Sequence, residues 1–572
     1  MYFLDKSTLD RDCSLLSNPR LTKVCIFHID DFECVSKMSG VDVVVVFCPY
    51  IYQHVKTLVP QLPVVFPLAI TSQADPFWLL AERRARRASV ILETALSALN
   101  VAFINHWQFD FFLKFVSYHS RWRELARSFS CLRLAGRFII PSALKPWRYG
   151  FYSMIPGREI AAAIGHEVSL TVVNHQSLNC RLLREFPSPP TIKSGEAQCS
   201  LNYLPATNAH QPEIQKIILS QKSIILTSPY YNTPYFGDYK SDRSLLSWRD
   251  ARKTLKLLRA KGVNIYSVYD EILSGLIGDD SDSVLLSEQR KLFVDDLLKQ
   301  LYYFYLIENS LSNVSLNMLN ISGHVTPLHG PLFSFAARRG LDVNIYPHSY
   351  FQCFTLPNYE KTKLLAHPVQ REVWDQYRLS WRQTVPWSRV LHQEGISELG
   401  IKKQLRRVLI VLNGSGTSHT CFINAAHYFM YLAELIALCS QMQVQCILRP
   451  KPNANFTHLL KDYLSEDVLS MCAFDMCDVT EQLETCDMVI MYDTDTSFGI
   501  QCLDRGIPLI FVTGVTINPS FDLLFFESDV VPRFTIYEAV KNLQNWARSR
   551  ESFRSFGMRQ MERYLKCSGG SK

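Results

Sequence analysis

Two kinds of chemically useful residue recur where short apolar runs of this chain end. The first is histidine: His106 in Asn105-His-Trp-Gln-Phe-Asp110, His329 in Val325-Thr-Pro-Leu-His-Gly330, and His348 in Val343-Asn-Ile-Tyr-Pro-His-Ser349. An imidazole titrates near working pH, which suits it to take a proton from an attacking hydroxyl. The second kind is a set of small hydroxyl and glycine residues beside cations. Gly414, Ser415 and Gly416 follow Val408-Leu-Ile-Val-Leu412, Arg449 and Lys451 end Val444-Gln-Cys-Ile-Leu-Arg-Pro-Lys-Pro452, and Asp493, Thr496 and Ser497 follow Met488-Val-Ile-Met491. Turn amides, hydroxyls and two positive charges are what a phosphate needs. Asp493 and Asp495 would repel it, so they are expected to cap the next helix or to hold ribose or sugar hydroxyls. Asp493-Thr-Asp495 also spells an acidic metal-binding motif, but its place at a helix start argues against that use. The sixteen cysteines are scattered with no Cys-x-x-Cys pair, so no metal site is expected.

Placing these residues together requires parallel strands, because open parallel sheets bind ligands outside the carboxyl ends of their strands. The region from 406 to 512 has the required pattern: strand, polar turn, helix, strand, with Gly506 before the last run, Ile507 to Val512. Earlier, short runs at Val24–Ile29, Val41–Phe47, Val64–Leu68, Val101–Ile104, Arg137–Ile140 and Val168–Val173 alternate with helical stretches. A further block has a strand at Ser223–Thr227, a helix at Trp248–Lys261 and a strand at Val263–Val268. It continues with a long helix from Leu285 to Asn309, and a final helical segment runs from Ile536 to Leu565. The fold class expected is α/β, with two or more Rossmann-like parallel-sheet domains facing a cleft. The Pro-rich stretch Phe186-Pro-Ser-Pro-Pro190 marks one boundary. The division expected is residues 1–190, a first Rossmann-like domain; 191–385, a second α/β block; and 386–572, the phosphate-binding domain with the final helix.

The Gly-Ser-Gly turn, the Leu448-Arg-Pro-Lys-Pro452 strand end and Thr496-Ser-Phe-Gly499 with Gly506-Ile-Pro-Leu-Ile510 resemble the nucleotide-sugar half of GT-B glycosyltransferases. The likeness is to enzymes of bacterial capsule and lipopolysaccharide assembly, including transferases of Kdo and sialic-acid-like sugars. Arg449-Pro stands where His-Pro is common in those enzymes. The resemblance implies a metal-independent transferase that takes a sugar from a nucleotide-activated co-substrate, without a bound cofactor, to a glycan or lipid-linked acceptor. It implies donor contacts at Gly414, Ser415, Gly416, Arg449, Lys451, Asp493, Thr496 and Ser497, and a base at His329 or His348, with His106 behind them. A nucleotide-sugar epimerase or hydrolase of the same fold, or a non-catalytic subunit of a polysaccharide-assembly complex, stays open beside this reading.

Composition narrows the partners. At 572 residues, 47% apolar and 20% charged, the chain has several cores to bury. A net charge of +7 does not point to nucleic acid. The amino terminus does not read as a signal peptide and no apolar run approaches the ~20 residues of a membrane span, so a cytoplasmic protein is expected. Arg83, Arg84, Arg86 and Arg87 on one helix form either a solvated face or a contact with anionic lipid, which would place the protein at the periphery of the inner membrane.

Overall fold

A computed structural model describes residues 3–26, 39–47, 49–68, 77–97, 99, 101, 104, 112, 134–142, 144–146, 152–154, 168–174, 199–203, 223–226, 242–277, 283–322, 328–346, 359–366, 387–389, 404–412, 425–450, 457–475, 477–492, 498–513 and 530–568. Their strands form three parallel sheets and one short hairpin.

The first part of the chain gives α1 (Lys6–Ser17), β1 (Thr22–Ile26), β2 (Val43–Val46), α2 (Pro49–Leu58), β3 (Val64–Val65) and α3 (Phe77–Leu96). It continues with β4 (Gly136–Ser142), β5 (Leu144–Pro146), β6 (Tyr152–Met154) and β7 (Val168–Asn174). The first sheet has the order β3-β2-β1-β4-β7, and β5 pairs β6 as a separate antiparallel hairpin. Val43 to Val46 are all buried, the continuous apolar run that a parallel strand covered on both faces requires.

The second sheet runs β13-β12-β11-β10-β8-β9. Its strands are β8 (Cys199–Tyr203), β9 (Ser223–Leu226), β10 (Leu316–Ser322), β11 (Asp342–Tyr346), β12 (Thr362–Ala366) and β13 (Trp387–Arg389). Its helices are α4 (Asp242–Ala260), α5 (Ile265–Ile277), α6 (Ser283–Ser310) and α7 (His329–Arg339). One face is apolar, with Leu201, Tyr203, Leu319, Ile321, Val343 and Ile345 joining these helices in a single core. The next residue along on three of these strands lies on the other face, where asparagines meet in register. Asn344 Nδ2 donates to Asn320 Oδ1 at 3.0 Å, and Asn320 Nδ2 donates to Asn202 Oδ1 at 2.7 Å. Asn202 and Asn320 are buried.

The third sheet runs β16-β15-β14-β17-β18-β19. Its elements are β14 (Arg407–Leu412), α8 (Ala425–Gln441), β15 (Gln445–Pro450), α9 (Thr457–Tyr463), α10 (Glu466–Ser470), β16 (Cys472–Phe474) and α11 (Val479–Thr485). They continue with β17 (Met488–Tyr492), α12 (Phe498–Asp504), β18 (Leu509–Thr513), β19 (Arg533–Thr535), α13 (Ile536–Arg548) and α14 (Arg550–Ser568). Numbered within the sheet the order is 3-2-1-4-5-6, that of dinucleotide-binding doubly wound sheets. The fold class is therefore α/β with several parallel-sheet units.

The cores divide these units unevenly. Residues of the first sheet (Val24, Val44, Tyr52, Phe66) share one cluster with one face of the third (Val408, Ile410, Tyr428, Met488). The other face of the third sheet has its own core, closed by Met561 and Tyr564 of α14. In contrast, α3 packs into the core of the second sheet through Ala85, Ala88 and Leu92.

Three expected elements differ. The expected strand Val263–Val268 is the entry to a helix: Ile265, Tyr269, Ile272, Leu273 and Leu276 bury one face at helical spacing, and Asn264 Oδ1 accepts from the backbone N of Tyr266 at 3.2 Å. Burial of a continuous stripe outweighs the β-branched character of the run. Val101 and Ile104 are buried but belong to no described strand. The final helical segment is two helices, because Ser549 adopts an extended conformation (φ −122°, ψ 107°) between them.

Candidate functional site at the strand ends of the third sheet

The registers of the third sheet bring its strand ends level. Leu412 of β14 is paired with Pro450 of β15 on one side and with Tyr492 of β17 on the other, and Tyr492 is paired with Val512 of β18. The chain therefore leaves the described strands at adjacent points along one edge. The order reverses between β14 and β17, and α8 and α12 pack on opposite faces of the sheet, the arrangement at which doubly wound sheets bind ligands. The sequence next to Leu412 begins Asn413-Gly-Ser-Gly, that next to Pro450 begins with Lys451, and that next to Tyr492 is Asp493-Thr-Asp-Thr-Ser497. Gly414, Ser415, Gly416, Lys451, Asp493, Thr496 and Ser497 themselves lie outside the described residues, as do His106 and His348.

What surrounds this edge is firmly built. Tyr492 is buried at the end of β17; its hydroxyl donates to the carbonyl of Tyr428 in α8 at 2.8 Å, and the two rings meet edge to face at 4.8 Å. Helix α12 lies close to β17 and β18 because Gly499 presents no side chain. A Cβ there would stand 3.0 Å from Leu509 Cδ2 and 3.1 Å from Met491 Sδ. At the opposite, amino edge, the Asp487 carboxylate accepts from the backbone N of Arg406 and Arg407 at 2.8 and 2.7 Å.

Arg449, one of the two expected phosphate cations, is buried on the face of the sheet. One guanidinium nitrogen donates to the carbonyl of Cys477 at 2.8 Å and to Gln482 Oε1 of α11, and the group lies 5.6 Å from the ring centroid of Phe498, the first residue of α12. Burial pulls the Arg449 pKa down, and Asp475 and Asp478 oppose that. Arg449 thus ties the helices after β16 and β17 to the end of β15.

His329 opens α7 rather than ending a strand; the strand before it is β10, which stops at Ser322. The histidine is buried and its ring meets Tyr203, the last residue of β8, edge to face at 6.0 Å. Tyr203 is paired with Ile321 of β10, and β8 and β10 are the neighbours at which the order of the second sheet reverses. His329 therefore stands at the carboxyl edge and the switch point of the second sheet, the position equivalent to that between β14 and β17 in the third. Tyr203 was not singled out from sequence, since nothing in Cys199-Ser-Leu-Asn-Tyr203 separates it from a polar linker.

Of the basic run on α3, Arg84 donates to the carbonyl of Leu276 in the last turn of α5 at 2.9 Å, a usual role for a cation at a helix end. Arg87 is exposed, and the side chain of Arg83 lies outside the described residues. Among the described residues no helix is long and apolar enough to cross a membrane, and no group of histidine, cysteine and acidic residues could hold a metal ion.

No protein-family model matches the chain, and no curated protein matches it. Solved structures with a related arrangement include glycosyltransferases. One is the glycosyltransferase SnogD from Streptomyces nogalater, at 10% identity over 65% of this chain and 98% of that one, with a TM-score of 0.31. Another is Os79 from O. sativa in complex with UDP, at 13% identity over 64% and 94%, TM-score 0.32. WaaG, a glycosyltransferase involved in lipopolysaccharide biosynthesis, gives 11% identity over 65% and 96%, TM-score 0.24. At such scores the overall superposition is loose, and the chemistry of this chain rests on its own residues.

Proposed function

We propose that this protein transfers a sugar from a nucleotide-activated donor, held at the carboxyl edge of the third sheet, to a glycan or lipid-linked acceptor of a surface polysaccharide. One observation carries the reading: the strand order reverses between β14 and β17, whose ends are level, and the chain continues from both into runs of glycine and hydroxyl residues.

In this reading the amides and hydroxyls of Gly414, Ser415, Gly416, Thr496 and Ser497 receive the donor phosphate, and Lys451 neutralises the charge that grows on it as the bond to the sugar breaks. One preorganised donor of this kind contributes about 3 kcal/mol to lowering such a barrier, so no metal is required. Arg449 acts by positioning, through its ties to α11 and α12. Asp493 holds a ribose or sugar hydroxyl. The acceptor lies toward the second sheet, where His329, or His348 after β11, takes the proton of the attacking hydroxyl; His106 is the third candidate.

The test is thermal unfolding of the purified chain with UDP-, GDP- and CMP-sugars, followed by assay of nucleotide release with and without acceptor glycans. Stabilisation by one nucleotide class, reduced about tenfold in apparent affinity by Lys451→Ala, is expected. If no nucleotide shifts the transition, the proposal fails. Stabilisation with release that needs no acceptor would instead identify a hydrolase.

A further inference from the structure

The outer face of α4 combines a row of cations with two exposed leucines. Its inner face is ordinary: Ser247, Ala251, Thr254 and Leu258 are buried at helical spacing. Facing outward are Arg249, Arg252, Lys253, Lys256 and Arg259, all exposed. The acid within this stretch is Asp250, and it pairs with Lys253 at 3.3 Å. On the same outward side stand two leucines, Leu246 and Leu257, each 49% exposed. They are eleven residues apart, three turns of helix, so they point the same way about 16 Å from each other.

Half-exposed leucines bracket a cationic face here. They suit a helix lying in the plane of a bilayer surface, with apolar side chains at the acyl boundary and long basic side chains reaching to lipid phosphates. We propose that this face of α4 docks the protein on anionic lipid. The charge of the face selects the partner, since each exposed cation near such a surface adds attraction that salt screens. Arg252 is already held against the ring of Trp248, 5.3 Å from its centroid, so part of the array is fixed before contact. The surface is distinct from the basic run of α3, and the inference holds whether or not the third sheet binds a nucleotide.

The experiment is co-sedimentation of the full chain with vesicles of phosphatidylcholine alone and of phosphatidylcholine mixed with phosphatidylglycerol, across a salt series. Binding is expected to the mixed vesicles only, and to weaken as salt rises. The triple variant Arg249→Glu, Lys253→Glu, Lys256→Glu should lower the partition coefficient at least about tenfold. The double variant Leu246→Ala, Leu257→Ala should lower it by about five- to tenfold at fixed salt. Thermal unfolding checks that both variants remain folded at the assay temperature; where the triple variant does not fold, the double variant and the salt series carry the test. Absence of binding to mixed vesicles at low salt overturns the proposal, and so does binding that both variants retain in full. Retention of duplex DNA by the parent but not by the triple variant, without vesicle binding, would assign the face to nucleic acid and equally overturn it.

Discussion

Arg449 illustrates how a cation within a sheet is used for architecture. Its bonds to the Cys477 carbonyl and to Gln482 join β15 to α11 and the turn before it, and Arg449→Ala would leave both acceptors without their charged donor. A loss of about 2–3 kcal/mol in unfolding free energy is expected, measurable by urea denaturation; an unchanged midpoint would remove the positioning role. Asp12 gives a second test at this scale. It is buried, and that burial holds its carboxyl above the ordinary value although Tyr463 and Arg11 both donate to it. The folded protein therefore binds this proton more tightly than the unfolded chain does. The stability contributed by the site grows as pH falls from neutral through the raised folded value and levels off near the unfolded value of about 4. Comparing thermal unfolding across that range should show the parent gaining stability relative to Asp12→Asn as pH falls, and a constant difference would count against the assignment. The strands that end at this edge were visible in sequence because each is an apolar run. The structural use of Arg449 was not, since its partners lie 28 and 33 residues away.

Helices and strands were legible where burial follows a simple period. All five of β1, β2, β14, β15 and β17 appear as apolar runs, and α6 appears as a long stripe. The strands β8 and β10 did not, because Asn202 and Asn320 interrupt their apolar pattern with side chains whose purpose is seen only once the strands are side by side. That amide row is expected to fix the register of the second sheet, where a slip of one residue would exchange its polar and apolar faces. Asn320→Leu would take the donor from Asn202 Oδ1 and leave Asn344 Nδ2 only the weaker sulfur acceptor of Met318, at a cost of about 1–3 kcal/mol, read from denaturant midpoints. His329 was placed at a strand tip for the same reason, since the strand that precedes it was hidden. At the start of α13 the capping box is complete: Thr535 Oγ1 accepts from the backbone N of Glu538 at 3.3 Å, and Glu538 Oε2 accepts from the backbone N of Thr535 at 2.8 Å. Thr535→Ala should cost about 1 kcal/mol. The Glu538 carboxyl is lowered, chiefly by the Thr535 backbone bond, so its share is present above the unfolded value near 4.3 and is lost as pH falls through the lower folded one.

Across the whole molecule, the first and third sheets are joined as one body. Tyr463, fully buried at the end of α9, accepts from the backbone N of Phe66 at 2.9 Å, and its ring meets Tyr52 and Phe66 edge to face at 6.3 and 6.4 Å. Tyr52 and Lys56 of α2 both reach Asp462, at 2.9 and 2.7 Å. Hydrogen exchange should find these two sheets opening together, separately from the second sheet with α3. Tyr463→Phe should lower protection in both at once, and loss confined to one would break the pairing. The three-part division expected from the sequence could not foresee this union, because the pattern of a strand does not say which distant surface covers it. The antiparallel bridge between Leu4 and Leu464 has a consequence for synthesis. At 5–20 residues per second, a ribosome needs about 20 to 90 s to deliver the second partner after the first, so the opening segment must wait with its apolar side uncovered, and chaperone demand should fall sharply once residue 464 emerges.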